Sequence, residues 1–180
     1  MSTKTQSAPA TQPESANGCA GGESPFPPAT KEHAWLKRFV GDWKSDVEMV
    51  MDPAQPPMKT QGSERLAMFG DYWLLSEGKN DSFPYAFRLT LGFDAQKGKY
   101  VGTWIDTMAG YLWTYEGGVD ATGDRLTLET EGPWPGSPEK RVKFREVTQF
   151  KGNDLRVFTS SRLEGDTWVT HLTVTARRVK

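Results

Sequence analysis

Tyr85-Ala86-Phe87-Arg88-Leu89-Thr90-Leu91-Gly92-Phe93, then Asp94-Ala95-Gln96-Lys97-Gly98, then Lys99-Tyr100-Val101-Gly102-Thr103-Trp104-Ile105-Asp106, is the stretch on which the fold turns. In the first segment Tyr85, Phe87, Leu89, Leu91 and Phe93 alternate with Ala86, Arg88, Thr90 and Gly92. That period of two puts one face of a strand against a core and the other toward solvent. The middle segment is turn chemistry, and the third is again rich in aromatic and β-branched residues. Two strands joined by so short a turn run antiparallel.

The same pattern extends in both directions. Trp43, Ser45, Val47, Met49 and Met51 share one face, with Lys44, Asp46 and Glu48 on the other. Near the end of the chain Trp168, Leu172, Val174 and Ala176 alternate with Val169, His171, Thr173 and Thr175, which places His171 outward unless a bulge intervenes. Further strands are expected at 62–69, 72–80, 99–107, 111–119, 125–131, 140–150 and 154–163, separated by Asp120-Ala121-Thr122-Gly123-Asp124, Lys151-Gly152-Asn153-Asp154 and Glu164-Gly165-Asp166. The connections are short and no second helix is available to cross between parallel strands. The expected fold is therefore all-β, an up-and-down antiparallel barrel of about ten strands, because closure removes exposed edges. A two-sheet sandwich is the alternative.

One short helix precedes the strands. Thr30 is its expected cap, Trp35 and Phe39 repeat at four residues as do Leu36 and Val40, and Gly41 ends it. About ten residues are marginal as an isolated helix, so the apolar stripe is expected to pack on one end of the barrel, with His33 exposed or, alternatively, with its ring closing that end. Residues 1–28 are Ser, Thr, Ala, Pro, Gln and Gly with Phe26 as the one aromatic, and read as a disordered tail; 29–180 read as a single barrel domain.

The chain has 22 Lys and Arg against 23 Asp and Glu, and the tail holds only Lys4, Glu14 and Glu23 of these. A neutral domain lacks the basic excess that nucleic acid or an anionic membrane demands, so neither is expected as a partner. Cys19 is the one cysteine, so no intrachain disulfide forms. Ala16-Asn17-Gly18-Cys19 resembles a lipoprotein cleavage site without the apolar run that should precede it, no basic and apolar leader is visible, and no stretch reaches the ~20 apolar residues of a membrane span. The reading is a cytoplasmic protein; the oligomeric state is not legible.

Two resemblances follow from particular residues. Gly41-Asp42-Trp43, directly after the helix, resembles the Gly-x-Trp signature of calycin (lipocalin-like) barrels. That resemblance implies that Gly41 and Trp43 close one barrel end beneath a basic residue of the last strand, Arg177 or Arg178, stacked on the indole. The longer match comprises His33-x-x-Leu36, Gly41-x-Trp43, Leu91-Gly92-Phe93-Asp94 with Lys97 and Tyr100, Gly102-Thr103-Trp104-Ile105-Asp106, Tyr115-Glu116-Gly117 and Leu126-Thr127-Leu128. It resembles the bacterial family catalogued as domain of unknown function fifteen-seventy-nine, over about 31–178. It implies a barrel and transfers no catalytic residue.

The richest candidate site is the hairpin 99–119. With Met108-Ala109 as its turn, Asp106 faces Tyr111, Trp104 faces Trp113, Gly102 faces Tyr115 and Tyr100 faces Gly117, each glycine lying under a tyrosine. One face then carries Tyr100, Trp104, Asp106, Tyr111, Trp113 and Tyr115: an aromatic wall with one carboxylate, the composition of a small-molecule pocket. Glu116 falls on the opposite face. Arg141, Lys143 and Arg145 form an outer basic stripe, with Arg156 and Arg162 beside them, read as a solvated face.

Gly-x-Ser-x-Gly, phosphate-loop and zinc-ligand spacings are all missing from the sequence. Four functions remain. The first is non-catalytic binding of a small apolar or aromatic molecule in the barrel, without a cofactor. The second is haem binding, since nitrobindin-like barrels are similar in outline and hold haem through a histidine on a late strand, here His171. The third is a cofactor-free enzyme using Asp106 as base on a lipid-like substrate. The fourth is an interaction module with a filled barrel.

Overall fold

The computed structural model describes residues 27–180 apart from 53, 135 and 136. Most of the expected tail, with Cys19, lies outside the described residues. The ten strands are β1 (Gly41–Met49), β2 (Met58–Phe69), β3 (Trp73–Asn80), β4 (Ala86–Asp94), β5 (Lys99–Asp106), β6 (Trp113–Val119), β7 (Arg125–Trp134), β8 (Ser137–Phe150), β9 (Leu155–Glu164) and β10 (Thr167–Arg178). Each pairs antiparallel with its sequence neighbours, and β1 pairs with β10, closing the barrel. The fold is thus the all-β up-and-down barrel expected from the alternation and the short turns. A sandwich is excluded by the continuous ladder.

The helical segment is split. The α-helix α1 covers Lys31–Trp35 and a 3-10 turn continues over Leu36–Phe39. The His33 side chain, rather than an acidic one, reaches back to cap the helix: Thr30 donates its backbone N–H to Nδ1 at 3.0 Å. His33 is therefore buried, the alternative of its two expected placements, with its ring edge-on to Tyr72 and Phe93 at the closed end. Leu36 and Phe39 plug the barrel end among Trp43, Leu66, Leu74, Leu91, Leu126 and Phe150. Burying side chains of this size contributes about 2 kcal/mol each, which is how so short a helical segment persists.

Trp43 anchors the closed end. Its indole N–H donates to the Phe39 carbonyl at 2.8 Å, and the Arg178 guanidinium lies 4.3 Å from its ring centroid. Arg178 also donates to the carbonyls of Arg38, Val40 and Asn153. Arg177 points outward and pairs with Asp46 at 2.8 Å, so of the two basic candidates Arg178 is the stacked one. Gly41 sits at φ +129°, and a Cβ there would collide with the Arg178 guanidinium. Beneath Trp43 an internal ion pair joins Arg156 to Glu64, which also accepts from Ser76 at 2.6 Å.

The faces are fixed by register. On β10 a bulge lies between Thr170 and Leu172, where Ser160 opposes Leu172 and Ser161 opposes Thr170. His171 is the extra residue, so it and Leu172 both face inward. Beyond the bulge the phase is reversed: Trp168 turns outward and stacks under Arg145 at 4.1 Å. Both readings from simple alternation, His171 outward and Trp168 inward, are thereby corrected. Arg156 and Arg162 also leave the expected basic stripe, since they share the inner face of β9 with Phe158 and Ser160. Arg141 and Arg145 remain outside, paired with Glu131 and Glu129. No helix among the described residues is long and apolar enough to cross a membrane.

Candidate functional site

The helix plugs one end of the barrel, so the other end is the natural mouth. The loops there join β1 to β2, β3 to β4, β5 to β6, β7 to β8 and β9 to β10. Several inward-facing side chains near it, among them Phe87, Trp104, Trp113 and Tyr115, are only half-buried.

The aromatic wall follows from strand register. Trp104 opposes Trp113, Gly102 opposes Tyr115 and Tyr100 opposes Gly117, as read from the hairpin. The turn is wider than two residues: the ladder stops at Trp104 and Trp113. Asp106 instead folds the turn onto itself, accepting the Met108 and Ala109 backbone N–H groups at 2.8 and 2.9 Å. The Trp104 indole donates to its other oxygen at 3.3 Å. With both oxygens engaged, Asp106 is poorly placed as a free base.

Phe87 stacks on Trp104 with centroids 4.0 Å apart, and Trp113 meets Phe144 edge-on at 5.3 Å. Glycines make room for these rings, though not at the expected places. Gly102 and Gly117 abut the backbone carbonyls of Thr90 and Thr127. On the inner face rings lie instead over Gly78 (Phe87) and Gly132 (Trp113), and on the outer face Trp73 lies over Gly92.

The six residues of the expected wall separate into three groups. Trp104, Trp113 and Tyr115 face the barrel interior, with Asp106 near the mouth. Tyr100 belongs to the closed end: it is buried, donates its hydroxyl to the Glu32 carbonyl at 3.0 Å, and burial pushes that hydroxyl up to about 12. Tyr111 sits on the rim, donating to the Glu131 carbonyl and accepting from Arg141 at 2.8 Å.

The inner wall also carries polar groups that the wall reading missed. Glu146 on β8 opposes Ser160 on β9, and His171 sits beside Ser160 on β10. Ser160 donates its hydroxyl to Glu146 Oε1 at 2.9 Å, and its oxygen lies 3.3 Å from His171 Nε2. Burial pushes the Glu146 carboxyl up to about 8, against a smaller opposing effect of the Ser160 hydrogen bond. Burial, then the Arg162 charge, holds His171 down to about 4. Both shifts favour the uncharged form of the side chain. The Tyr115 hydroxyl is raised chiefly by burial and then by Glu146, Tyr85 and Asp106, which places all four in one neighbourhood.

From the sequence alone Glu146 reads as a surface charge; the signal that could have found it is its phase on β8, shared with Val142, Phe144 and Phe150. His171 was hidden by the bulge. Four buried side-chain atoms have no hydrogen-bond partner among the described residues, Glu146 Oε2, Arg156 Nε, Arg162 Nη1 and His171 Nδ1, and all four belong to inward-facing residues.

Hydrolytic use of Ser160 is disfavoured by geometry. Its proton goes to Glu146, His171 has no carboxylate orienting Nδ1, and its suppressed basicity makes it a weak base. Two depressions on the outer wall, lined by charged groups such as Asp46, Lys59 and Arg177 or Lys44, Arg65 and Glu77, offer no comparable convergence of groups.

A family model described as "Protein of unknown function (DUF1579)" matches residues 28–178. No curated protein matches. Among solved structures, Rv2717c from M. tuberculosis is similar over 85% of this chain and 100% of its own, at 16% identity and a TM-score of 0.61. That likeness concerns the fold alone. A redesigned β-barrel is similar over 83% of this chain and 96% of its own, at 13% identity and a TM-score of 0.36.

Proposed function

The chain belongs to the DUF1579 family of proteins of unknown function, and from its lumen we propose that it is a non-catalytic binding protein for a small, largely aromatic or apolar molecule. The observation that carries this reading is the half-buried aromatic wall of Phe87, Trp104, Trp113 and Tyr115, facing inward near the mouth opposite the helical plug. Apolar groups left in contact with solvent inside a concave surface are what such ligands cover. The apolar side chains Met51, Met58, Met108 and Leu112 are exposed on or beside the loops of the mouth, a surface an apolar ligand crosses on entry. The outer wall carries ion pairs along most strands, the inverse of a lipid-facing barrel, and supports a reading in which neither membrane nor nucleic acid is the partner.

Native mass spectrometry of the purified protein tests this. The expected result is a bound mass that leaves on denaturation and is diminished in Trp104→Ala and Trp113→Ala. A ligand-free mass, together with no effect of any aromatic probe on tryptophan fluorescence, would overturn the proposal in favour of a filled barrel.

Haem is the second reading because the bulge turns His171 inward with a neutral imidazole. The residues as arranged do not fit it. Nε2 is engaged by Ser160, Nδ1 is covered by protein, and the ring is held edge-on by Trp134 at 5.4 Å and Phe144 at 5.9 Å. Iron has no approach to either nitrogen without displacing those side chains. A Soret band in the same purified sample would reverse this conclusion.

A further inference from the structure

The ion pairs of the outer wall leave one stretch of it free. Phe69 on β2 opposes Trp73 on β3, Leu75 on β3 opposes Thr90 on β4, and Thr90 opposes Thr103 on β5. Leu66, Leu74 and Leu91 on the opposite face of the same strands are buried, so these residues face outward. Phe69 is 68% exposed, Trp73 42% and Leu75 39%, three large apolar side chains in one contiguous patch. Trp73 lies over Gly92, which opposes Val101 on β5. The Thr90 and Thr103 hydroxyls share a hydrogen bond at 2.6 Å and so answer each other's polarity. Toward the mouth the Glu77–Arg88 ion pair borders the patch. An exposed apolar surface rimmed by charge marks a docking site.

The described chain begins at the edge of this patch. Tyr72, in the turn between Phe69 and Trp73, donates its hydroxyl to the Pro27 carbonyl at 2.9 Å, and its ring is held edge-on by His33 of the plug. Phe26 is joined directly to that anchored Pro27, and residues 1–25 precede it. Pro25-Phe26-Pro27-Pro28 has the composition of a polyproline II segment, because each proline fixes its own φ and biases the residue before it toward extended backbone. Such a segment makes no internal hydrogen bonds, loses little entropy on docking, and is received by aromatic surfaces. The Tyr72 hydroxyl on the Pro27 carbonyl is one bond of that kind.

We propose that the face of Phe69, Trp73 and Leu75 is the docking surface for the chain's own residues 21–26, with Phe26 set against the Phe69 and Trp73 rings.

Size selects this occupant over a second copy of the chain. Scaled from the about 150–250 Å² that an aromatic side chain covers, the exposed parts of Phe69, Tyr72, Trp73 and Leu75 come to roughly 300–400 Å². A stable dimer needs about 800 Å² from each partner. Six extended residues at ~3.1 Å each reach about 19 Å, enough to cross the ~14 Å from β2 to β5. The patch lies outside the barrel, and its occupancy is independent of what the lumen binds.

The test uses Cys19, the one cysteine, as the attachment point for a nitroxide in the full-length chain, read by NMR. The Leu75 and Val101 methyl signals are expected to lose most of their intensity. Leu155 and Val157, on β9 across the barrel, are expected to keep theirs, and the pattern is expected to be unchanged on dilution. In Phe26→Ala the Leu75 and Val101 signals are expected to return, and in the unlabelled variant the Trp73 indole N–H resonance is expected to move. Full intensity at Leu75 and Val101 in the labelled wild-type chain, equal losses on β9, or the same losses in Phe26→Ala would each overturn the proposal. Losses that fade on dilution, or that labelled chains impose on unlabelled ones, would overturn it too and give the surface to a second copy.

Discussion

Glu146 and His171 titrate in opposite senses inside the same wall, and their linkage to folding has opposite signs. The folded chain holds a proton on Glu146 up to about 8, whereas an ordinary carboxyl releases it near 4.5. Its contribution to stability is therefore fully present below 4.5 and is lost as the pH rises through about 8. His171, held down to about 4 from an ordinary 6.5, contributes above 6.5 and loses that contribution as the pH falls through about 4. Between those ordinary values the two slopes oppose, so the Glu146 effect stands alone from about pH 6.5 upward. Thermal melting is expected to show wild-type protein losing about 2 kcal/mol between about pH 6.5 and about pH 8, and Glu146→Gln losing much less. An equal decline in both proteins would show that Glu146 is not the group responsible.

At the scale of elements, the closed end depends on one of two adjacent arginines. Arg178 stacks on Trp43 and ties β10 to the helical segment through the Arg38 and Val40 carbonyls, while Arg177 holds an exposed pair with Asp46. Arg178→Ala is expected to cost about 2–4 kcal/mol in denaturant unfolding, from lost charged hydrogen bonds and the stacked ring. Arg177→Ala is expected to stay within about 0.5 kcal/mol. Comparable losses in the two variants would remove Arg178 from its structural role. On β7, a Cβ at Gly132 would sit 2.1 Å from the Trp113 ring. Gly132→Ala is expected to destabilise by about 1–3 kcal/mol and to shift the tryptophan emission, since the ring must leave its place in the wall. Unaltered stability and emission would mean that Trp113 does not pack there.

For the molecule as a whole, the ladder is continuous from β1 round to β10, so neither end has a separate sheet on which to survive alone. Tryptophans report on both halves: Trp35 and Trp43 near the plug, Trp104, Trp113 and Trp134 near the mouth. Fluorescence and far-ultraviolet circular dichroism are expected to give coincident unfolding midpoints. Separated midpoints would show that the mouth melts independently of the plug. The architecture was legible because strand alternation and turn chemistry are local. Tyr85 to Phe93 shows its inner face by spacing alone, and the pairing of Trp104 with Trp113 follows from counting back from a turn. The signal for Glu146, a carboxylate in phase with Val142, Phe144 and Phe150, is of the same local kind, though the sequence alone reads the carboxylates of this strand as solvated. Local spacing cannot report a change of phase that a neighbouring strand imposes. The bulge beside Ser160 and Ser161 brings His171 in and sends Trp168 out, and it exists only in the ladder between β9 and β10. The choice of Arg178 over Arg177 likewise depends on how β10 meets β1 when the barrel closes. By itself the sequence determined the strands, their order and most of their faces, because those depend on residues two apart. The meeting of Glu146, Ser160 and His171 was decided by tertiary structure, because it requires three strands in one register.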